Sequence, residues 1–308
     1  MTDLLQTLLR ILLGVLVWPG LIFGAVTGWF YLWVGRKAMA RLQGRQGPPF
    51  YQPFFDFIKL LGKQTVIPRG VNPGLFYTLP VLSLAAVTGA LALLPAPLAP
   101  QLSFNGDLIL LLYLLEMPAL VDILAGYVTH SPYAEVGAAR EAVMMLGYNL
   151  PFLTAMIALA LQSGSANLRV IFSHPVGPVQ ALALLALLMA LPARLKTTPF
   201  SIPNAETEIV AGPHIEYNGV PLGLFELAHG LELAALAGLA AAILAGPIAN
   251  PLLGLPLYLL ISVAIILLTT TLAAATARLK VQHALRFYTR WGALAAGLAL
   301  VAALLIRL

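Results

Sequence analysis

The chain of 308 residues contains no cysteine, which removes disulfides, thiolate metal sites and iron–sulfur ligation from what this polypeptide does by itself. Any redox centre it serves is expected in another polypeptide. Charge is scarce as well: 9% of residues are Asp, Glu, Lys or Arg, against about 25% in a soluble domain. The 17 basic and 12 acidic residues leave a net positive balance. They fall in short clusters between apolar runs, so nucleic acid is not an expected partner. No phosphate-cradling glycine loop or serine elbow is present, and His130, His174, His214 and His283 form no ligand spacing such as H-E-x-x-H. No catalytic residue and no metal site are therefore expected in this chain. Internal repeats are lacking too, which argues against a stand-alone secondary transporter with inverted repeats.

What the chain does have is oil. Hydrophobic residues make up 60% and the mean hydropathy is +0.91, so the expected fold is an all-α integral membrane protein, one membrane domain over residues 1–308. Runs long enough to cross a bilayer occur at Ile11–Val34, Leu75–Leu94, Leu108–Val128, Ala142–Leu161, Pro178–Ala193, Leu222–Leu244, Leu255–Ala277 and Trp291–Ile306. This predicts eight transmembrane helices. The first is read as a retained span, because Asp3 and Trp18-Pro19 do not fit a cleavable signal. A short amphipathic interfacial helix is predicted after Pro53. There Phe54, Phe57, Ile58 and Leu61 recur at i, i+3, i+4 and i+7, while Asp56, Lys59 and Lys63 face away.

Placing 35–72, 129–141, 194–221 and 278–290 in the cytoplasm puts fourteen of the 17 Lys and Arg residues inside, leaving Arg10, Arg169 and Arg307 outside. That asymmetry predicts a multi-pass protein of the inner (plasma) membrane with both termini outside. The polar loop Pro199–Gly219 holds Glu206, Glu208, His214 and Glu216, three of the 12 carboxylates, on the cytoplasmic side. Loops of this kind carry function more often than connection alone.

Three stretches then resemble one family in collinear order. They are Arg36-Lys37 with Arg41 and GRQGPPFYQPFFDFIKLLGK (44–63), AGYVTHSPYAEVGAAREAVMML (125–146), and PFSIPNAETEIVAGPHIEYNG (199–219). The chain is similar to the subunit 1 or H membrane anchor shared by respiratory complex I and energy-converting, membrane-bound NiFe hydrogenases. The compact Gly47–Pro53 segment resembles the hydrogenase branch. The resemblance implies an anchor that docks soluble hydrogenase large and small subunits beside antiporter-like membrane subunits. The NiFe centre and iron–sulfur clusters would sit in those partners and no cofactor in this chain. It also implies a landing surface that includes Arg41, Arg45, Asp56, Lys59, Lys63, Glu135, Arg140 and Glu141. The same subunit in complex I lines a quinone site, and sulfur-reducing relatives share the anchor. Asn149 and His229 stand where the family commonly has glutamates.

Carboxylates inside the spans complete the picture. Glu116 and Asp122 lie on the third run and Glu226, His229 and Glu232 on the sixth. Charges at that depth are costly, usually face the bundle interior, and mark ion paths. Glu226 and His229, at i and i+3, are expected to share one face and a proton. With the loop residues Glu206, Glu208 and Glu216, these groups are the expected route coupling a redox event to proton or sodium movement. A structural alternative is that they hold the bundle together as protonated acids.

Overall fold

The structure, a computed structural model, describes residues 2–94, 102–246 and 251–307. Among them every regular element is helical. In chain order these are α1 (Thr2–Leu16), α2 (Leu21–Leu42), α3 (Gln52–Leu61), α4 (Pro73–Leu93), α5 (Asp107–Val128), α6 (Pro132–Ser163), α7 (Leu168–Phe172), α8 (Pro178–Arg194), α9 (Glu206–Ile209), α10 (Gly219–Ala245), α11 (Pro251–Ala275), α12 (Val281–Phe287) and α13 (Ala293–Arg307). Seven described helical stretches are long and apolar enough to cross a membrane. The expected fifth span, α8, is apolar but has 17 residues, about 26 Å at 1.5 Å per residue and short of a ~30 Å hydrocarbon core.

Three boundaries differ from those that hydropathy suggests, each for a local reason. The first run is interrupted over 17–20, where Pro19 supplies no N–H, and then α2 continues to Leu42. Arg36, Lys37 and Arg41 are thus helical and not the start of a loop. The expected loop 129–141 is helical from Pro132 onward. Proline is favoured at a first helical position, and the following Ala, Glu and Arg residues are good helix formers. The last span likewise begins at Val281 and runs to Arg307, passing through a π-helical turn at Tyr288–Gly292. Polar ends of membrane helices keep their helical geometry outside the hydrocarbon, which hydropathy cannot register.

α10 is the hub: its most apolar window is 89% buried, and it packs on α2, α4 and α11, with α3 across its first turns. Small residues permit this. A Cβ on Gly28 of α2 would sit 2.5 Å from the carbonyl oxygen of Gly230 on α10, so the two backbones cross almost in contact. On the outside, Leu294, Leu298, Val301 and Leu305 of α13 form an exposed stripe at helical spacing, the surface a lipid-facing helix needs.

The helix crossing gives a direct test. Gly28→Val forces backbone apart and should destabilise the detergent-solubilised protein by about 1–3 kcal/mol, the usual range for overpacking. Gly297→Val, where an added Cβ meets nothing within 4 Å, should leave the melting temperature unchanged. The measurement is thermal unfolding followed by size-exclusion of the fluorescently tagged chain.

Candidate functional site

α5 brings two carboxylates, Glu116 and Asp122, to the interior, separated by six residues or about 9 Å of rise. The C-terminal end of α8 answers with two cations two residues apart. Arg194 pairs with Glu116 and Lys196 with Asp122. The chain achieves this by leaving the helix at Leu195 and placing Lys196 at φ 52°. That left-handed position ends helices and turns the chain back. Asn149 of α6 closes the first pair, donating from Nδ2 to Glu116 Oε2 at 2.7 Å and accepting from Arg194 at 3.3 Å. The second pair is closed by the loop, where His214 Nε2 lies 2.9 Å from Asp122 Oδ1.

Behind these pairs is a second group. Glu141 of α6 is completely buried, and its Oε1 accepts a hydrogen bond from the Tyr148 hydroxyl at 3.1 Å. It lies within Coulombic reach of Glu232, Arg194 and Glu116. Glu232 of α10 is buried too, 3.9 Å from His229 Nδ1. His229 opens into a cleft of about 980 Å³ bounded by α2, α10, α11 and the α8–α9 connection, with Arg36, Arg45, Lys196, Glu206 and Arg278 on its walls. Glu226 opens instead into a smaller cleft of about 220 Å³ between α2, α3 and α10, beside Asp56 and Lys59. Glu226 and His229 thus line different clefts, and one helical turn further on Glu232 comes within 3.9 Å of His229.

The acidic loop is tied down at both ends. Outside, Glu208 bridges Arg140 of α6, at 2.7 Å, and Arg278 ahead of α12. The hydrogen bond from Arg140, with both guanidinium charges, holds the Glu208 carboxyl below its ordinary range. Inside, the turn Gly212–His214 lies against α6 at Gly137, where a Cβ would come within 2.8 Å of Pro213. His214 stacks on Phe225 at 4.1 Å and Tyr217 on Phe76 at 4.3 Å. Asn218 clamps the backbone of Val66 with both ends of its amide, at 2.7 and 2.8 Å. Burial and the nearby Lys196 push His214 down to about 3, so the ring is neutral and Nε2 donates to the Asp122 carboxylate. Burial pushes the Lys196 ammonium down to about 8, opposed by Glu232, so the cation still faces Asp122 at neutral pH.

The other expected residues divide plainly. Arg41, Arg45, Lys59, Lys63, Glu135 and Glu206 are exposed and Glu216 is half-buried. Asp56 is already paired within the chain, accepting from Arg36 at 2.9 Å and from Gln52 at 2.8 Å. Glu141, expected on a docking surface, belongs to the interior. Its helical neighbours Ala134, Ala138 and Tyr148 are buried as well, a spacing that marks one covered face of α6. Arg194 and Lys196 are the functional candidates that sequence reasoning misses as individuals, since hydropathy and charge mark them only as inside positives.

The His214 environment predicts a pH effect with a definite sign. A histidine whose folded pKa lies below its unfolded value of about 6.5 binds its proton more readily when the loop is undocked. Its stabilising contribution is full above about 6.5 and is lost as pH falls toward 3. Amide-exchange protection over 209–218, corrected for intrinsic rates, should hold between pH 8 and 7 and drop on the order of tenfold by pH 5. His214→Gln should flatten that dependence.

Known proteins share this architecture. The sequence profile of the NADH dehydrogenase family matches residues 15–305. The H-type subunit of the NADH-quinone oxidoreductase of Dehalococcoides mccartyi is 29% identical over 286 residues, covering 89% of this chain and 81% of that protein. Its counterpart in Syntrophotalea carbinolica is 32% identical over 276 residues, covering 82% of each chain. Among solved structures, a chain of the membrane-bound sulfane sulfur reductase, an archaeal respiratory membrane complex, superposes with a TM-score of 0.83 at 28% identity, covering 96% of this chain and 99% of that one. The membrane-length helices and these matches over nearly the whole chain agree: it is a multi-pass membrane protein that belongs to the NADH dehydrogenase family, of the H type.

Proposed function

We propose that this chain is the membrane anchor of an ion-translocating oxidoreductase complex in the cell membrane, seating a soluble arm of the NiFe hydrogenase type and passing its redox-linked charge changes to proton- or sodium-moving membrane partners. The observation that carries the reading is the interior network of Asp122, Lys196 and His214 beneath an acidic loop whose outer carboxylate, Glu208, is paired with Arg140 and Arg278 at the surface. A partner's charges at the surface can thereby act on ionised groups inside the bundle. The compact Gly47–Pro53 segment supports the hydrogenase-like branch. The nearly full two-way coverage with the sulfane sulfur reductase chain, 96% and 99%, against 81% of the Dehalococcoides protein, supports the alternative of an anchor in a related sulfur-reducing complex. The NiFe centre and iron–sulfur clusters belong to the soluble partners in this reading.

In the same reading α8 counts as the fifth of eight spans. α3 lies in the cytoplasmic interface with its lysines near anionic headgroups or the docked arm. Both termini are outside. A quinone-reducing complex is the second reading, favoured by the cleft of about 980 Å³ and by relatives named as NADH-quinone oxidoreductase subunits. Inhibition of turnover in the purified complex by quinone analogues would select it.

Two measurements test the anchor role. A cysteine placed at Gln64 of the cysteine-free chain should be labelled only from the cytoplasmic side in oriented vesicles; labelling only from outside would reverse the topology. Reversing Lys59 and Lys63 together to glutamate should release the soluble subunits during mild-detergent purification while the membrane chain stays inserted. A single exposed pair contributes about 0–1 kcal/mol, which is why both are changed, and intact co-purification would count against docking at α3.

A further inference from the structure

The cations of this chain are unevenly answered. Asp56 stands beside Arg36, and Glu208 stands between Arg140 and Arg278. Beyond Glu232, however, the sequence contains no carboxylate, and every charged residue there is basic. Lys280, Arg286 and Arg290 are exposed, as is His283. None of these four takes part in an ion pair among the described residues.

Their place on the fold gives the patch a direction. α12, the π-helical turn and α13 make one helical stretch, Val281–Arg307, and its exposed face is graded along the axis. Leu305, Val301, Leu298 and Leu294 form the apolar part, Trp291 follows at 61% accessibility, and Arg290, Arg286 and His283 continue it. Hydrocarbon, interface and headgroups call for these side chains in this order: apolar, then an amphipathic indole, then cations. The opposite face is fixed to the bundle. Tyr288 is buried, and its hydroxyl donates to the Met189 carbonyl of α8 at 3.1 Å. Phe200 packs on its ring at 4.9 Å and on Phe287 at 5.4 Å. A Cβ on Gly292 would lie 3.0 Å from Pro151 Cγ of α6. A π turn holds more residues than an α turn. Here it keeps Tyr288 and Gly292 inward while Thr289, Arg290 and Trp291 are all exposed.

We propose that the foot of the last span, from Lys280 to Trp291, is a binding site for anionic phospholipid headgroups of the cytoplasmic leaflet. Lys280, Arg286 and Arg290 meet the phosphates and Trp291 sits at the acyl boundary. A basic cluster adjoining a span and free of carboxylates is what an anionic leaflet attracts. The continuity of this face with the apolar stripe of α13 makes lipid, and not a soluble protein, its occupant. The site goes beyond the anchor reading, yet it touches the acidic loop through the chain. Leu279 N donates to the Pro199 carbonyl at 2.9 Å, and Arg278, two residues before Lys280, holds Glu208. Lipid on the foot therefore steadies the base from which Arg278 reaches α9.

The test uses the whole complex and asks what touches position 291. The photoreactive amino acid p-benzoylphenylalanine replaces Trp291, and the complex is reconstituted in vesicles of phosphatidylglycerol and phosphatidylcholine in equal amounts. Adducts formed on illumination are identified by mass spectrometry. Phosphatidylglycerol adducts should exceed phosphatidylcholine adducts about threefold or more, since each basic residue near the surface favours anionic lipid. The excess should fall to parity when Lys280→Gln, Arg286→Gln and Arg290→Gln are combined. It should fall likewise in the parent at about 1 M salt, where the screening length is about 3 Å. Millimolar inorganic phosphate should leave it in place, because the ligand is a headgroup held in the bilayer. Equal adducts in the parent, an excess that survives the triple substitution, loss of the excess to free phosphate, or adducts to a protein subunit in place of lipid would each overturn the proposal. Should the triple variant fail to assemble, the salt series on the parent decides. The adduct ratio is read in both leaflets at once, so a failure of the proposed topology leaves it intact, and a failure of the lipid site leaves the topology intact.

Discussion

The guanidinium of Arg194 ends α8 inside the protein, and three helices are organised around neutralising it. A cation at that depth stands only if it is paired, because the alternative is an uncompensated charge in a low-dielectric interior. Glu116 and the Leu115 carbonyl of α5, with Asn149 of α6, supply that pairing through the two Nη atoms, while the buried Nε has no hydrogen-bond partner among the described residues. Removing one partner of a buried pair typically costs about 3–5 kcal/mol, so the ring fixes how α5, α6 and α8 sit against one another. The second ring, Asp122 with Lys196 and His214, then follows from chain geometry. Once Arg194 is placed, the turn at Lys196 delivers the next cation to the next carboxylate on α5.

Much of this arrangement is legible in the sequence. The intramembrane cost of charge singles out Glu116, Asp122 and Glu232 as interior groups, and apolar run length places their helices. Their partners stay hidden because they are tertiary: Arg194 meets Glu116 across 78 positions and Lys196 meets Asp122 across 74. Nothing in local spacing announces a contact of that range. A run of positives counted toward topology also conceals that two of them point inward. Glu141 is misplaced for a different reason. The charged Arg140-Glu141 pair reads as loop, although the helical spacing Ala134, Ala138, Glu141, Tyr148 marks one buried face. Helix ends escape hydropathy wherever polar residues stay helical beyond the hydrocarbon, as at Arg36 to Arg41 and Pro132 to Glu141.

The two halves of the acidic loop differ in what it takes to move them. At the outer end Glu208 is nearly half exposed, with 46% side-chain accessibility, between two arginines from separate elements. Solvent-facing ion pairs exchange readily with charges that a partner brings. At the inner end His214 and Tyr217 are wedged among Phe225 and Phe76, and His214 is hydrogen-bonded to a buried carboxylate. The strained residue between them is Val210, a β-branched side chain at φ 60° directly after α9. Such a conformation persists only where its surroundings impose it. In the proposed anchor role a partner's charge meets the pairs of Glu208 first, and the aromatic packing of His214 and Tyr217 stands between that surface and the Asp122 carboxylate.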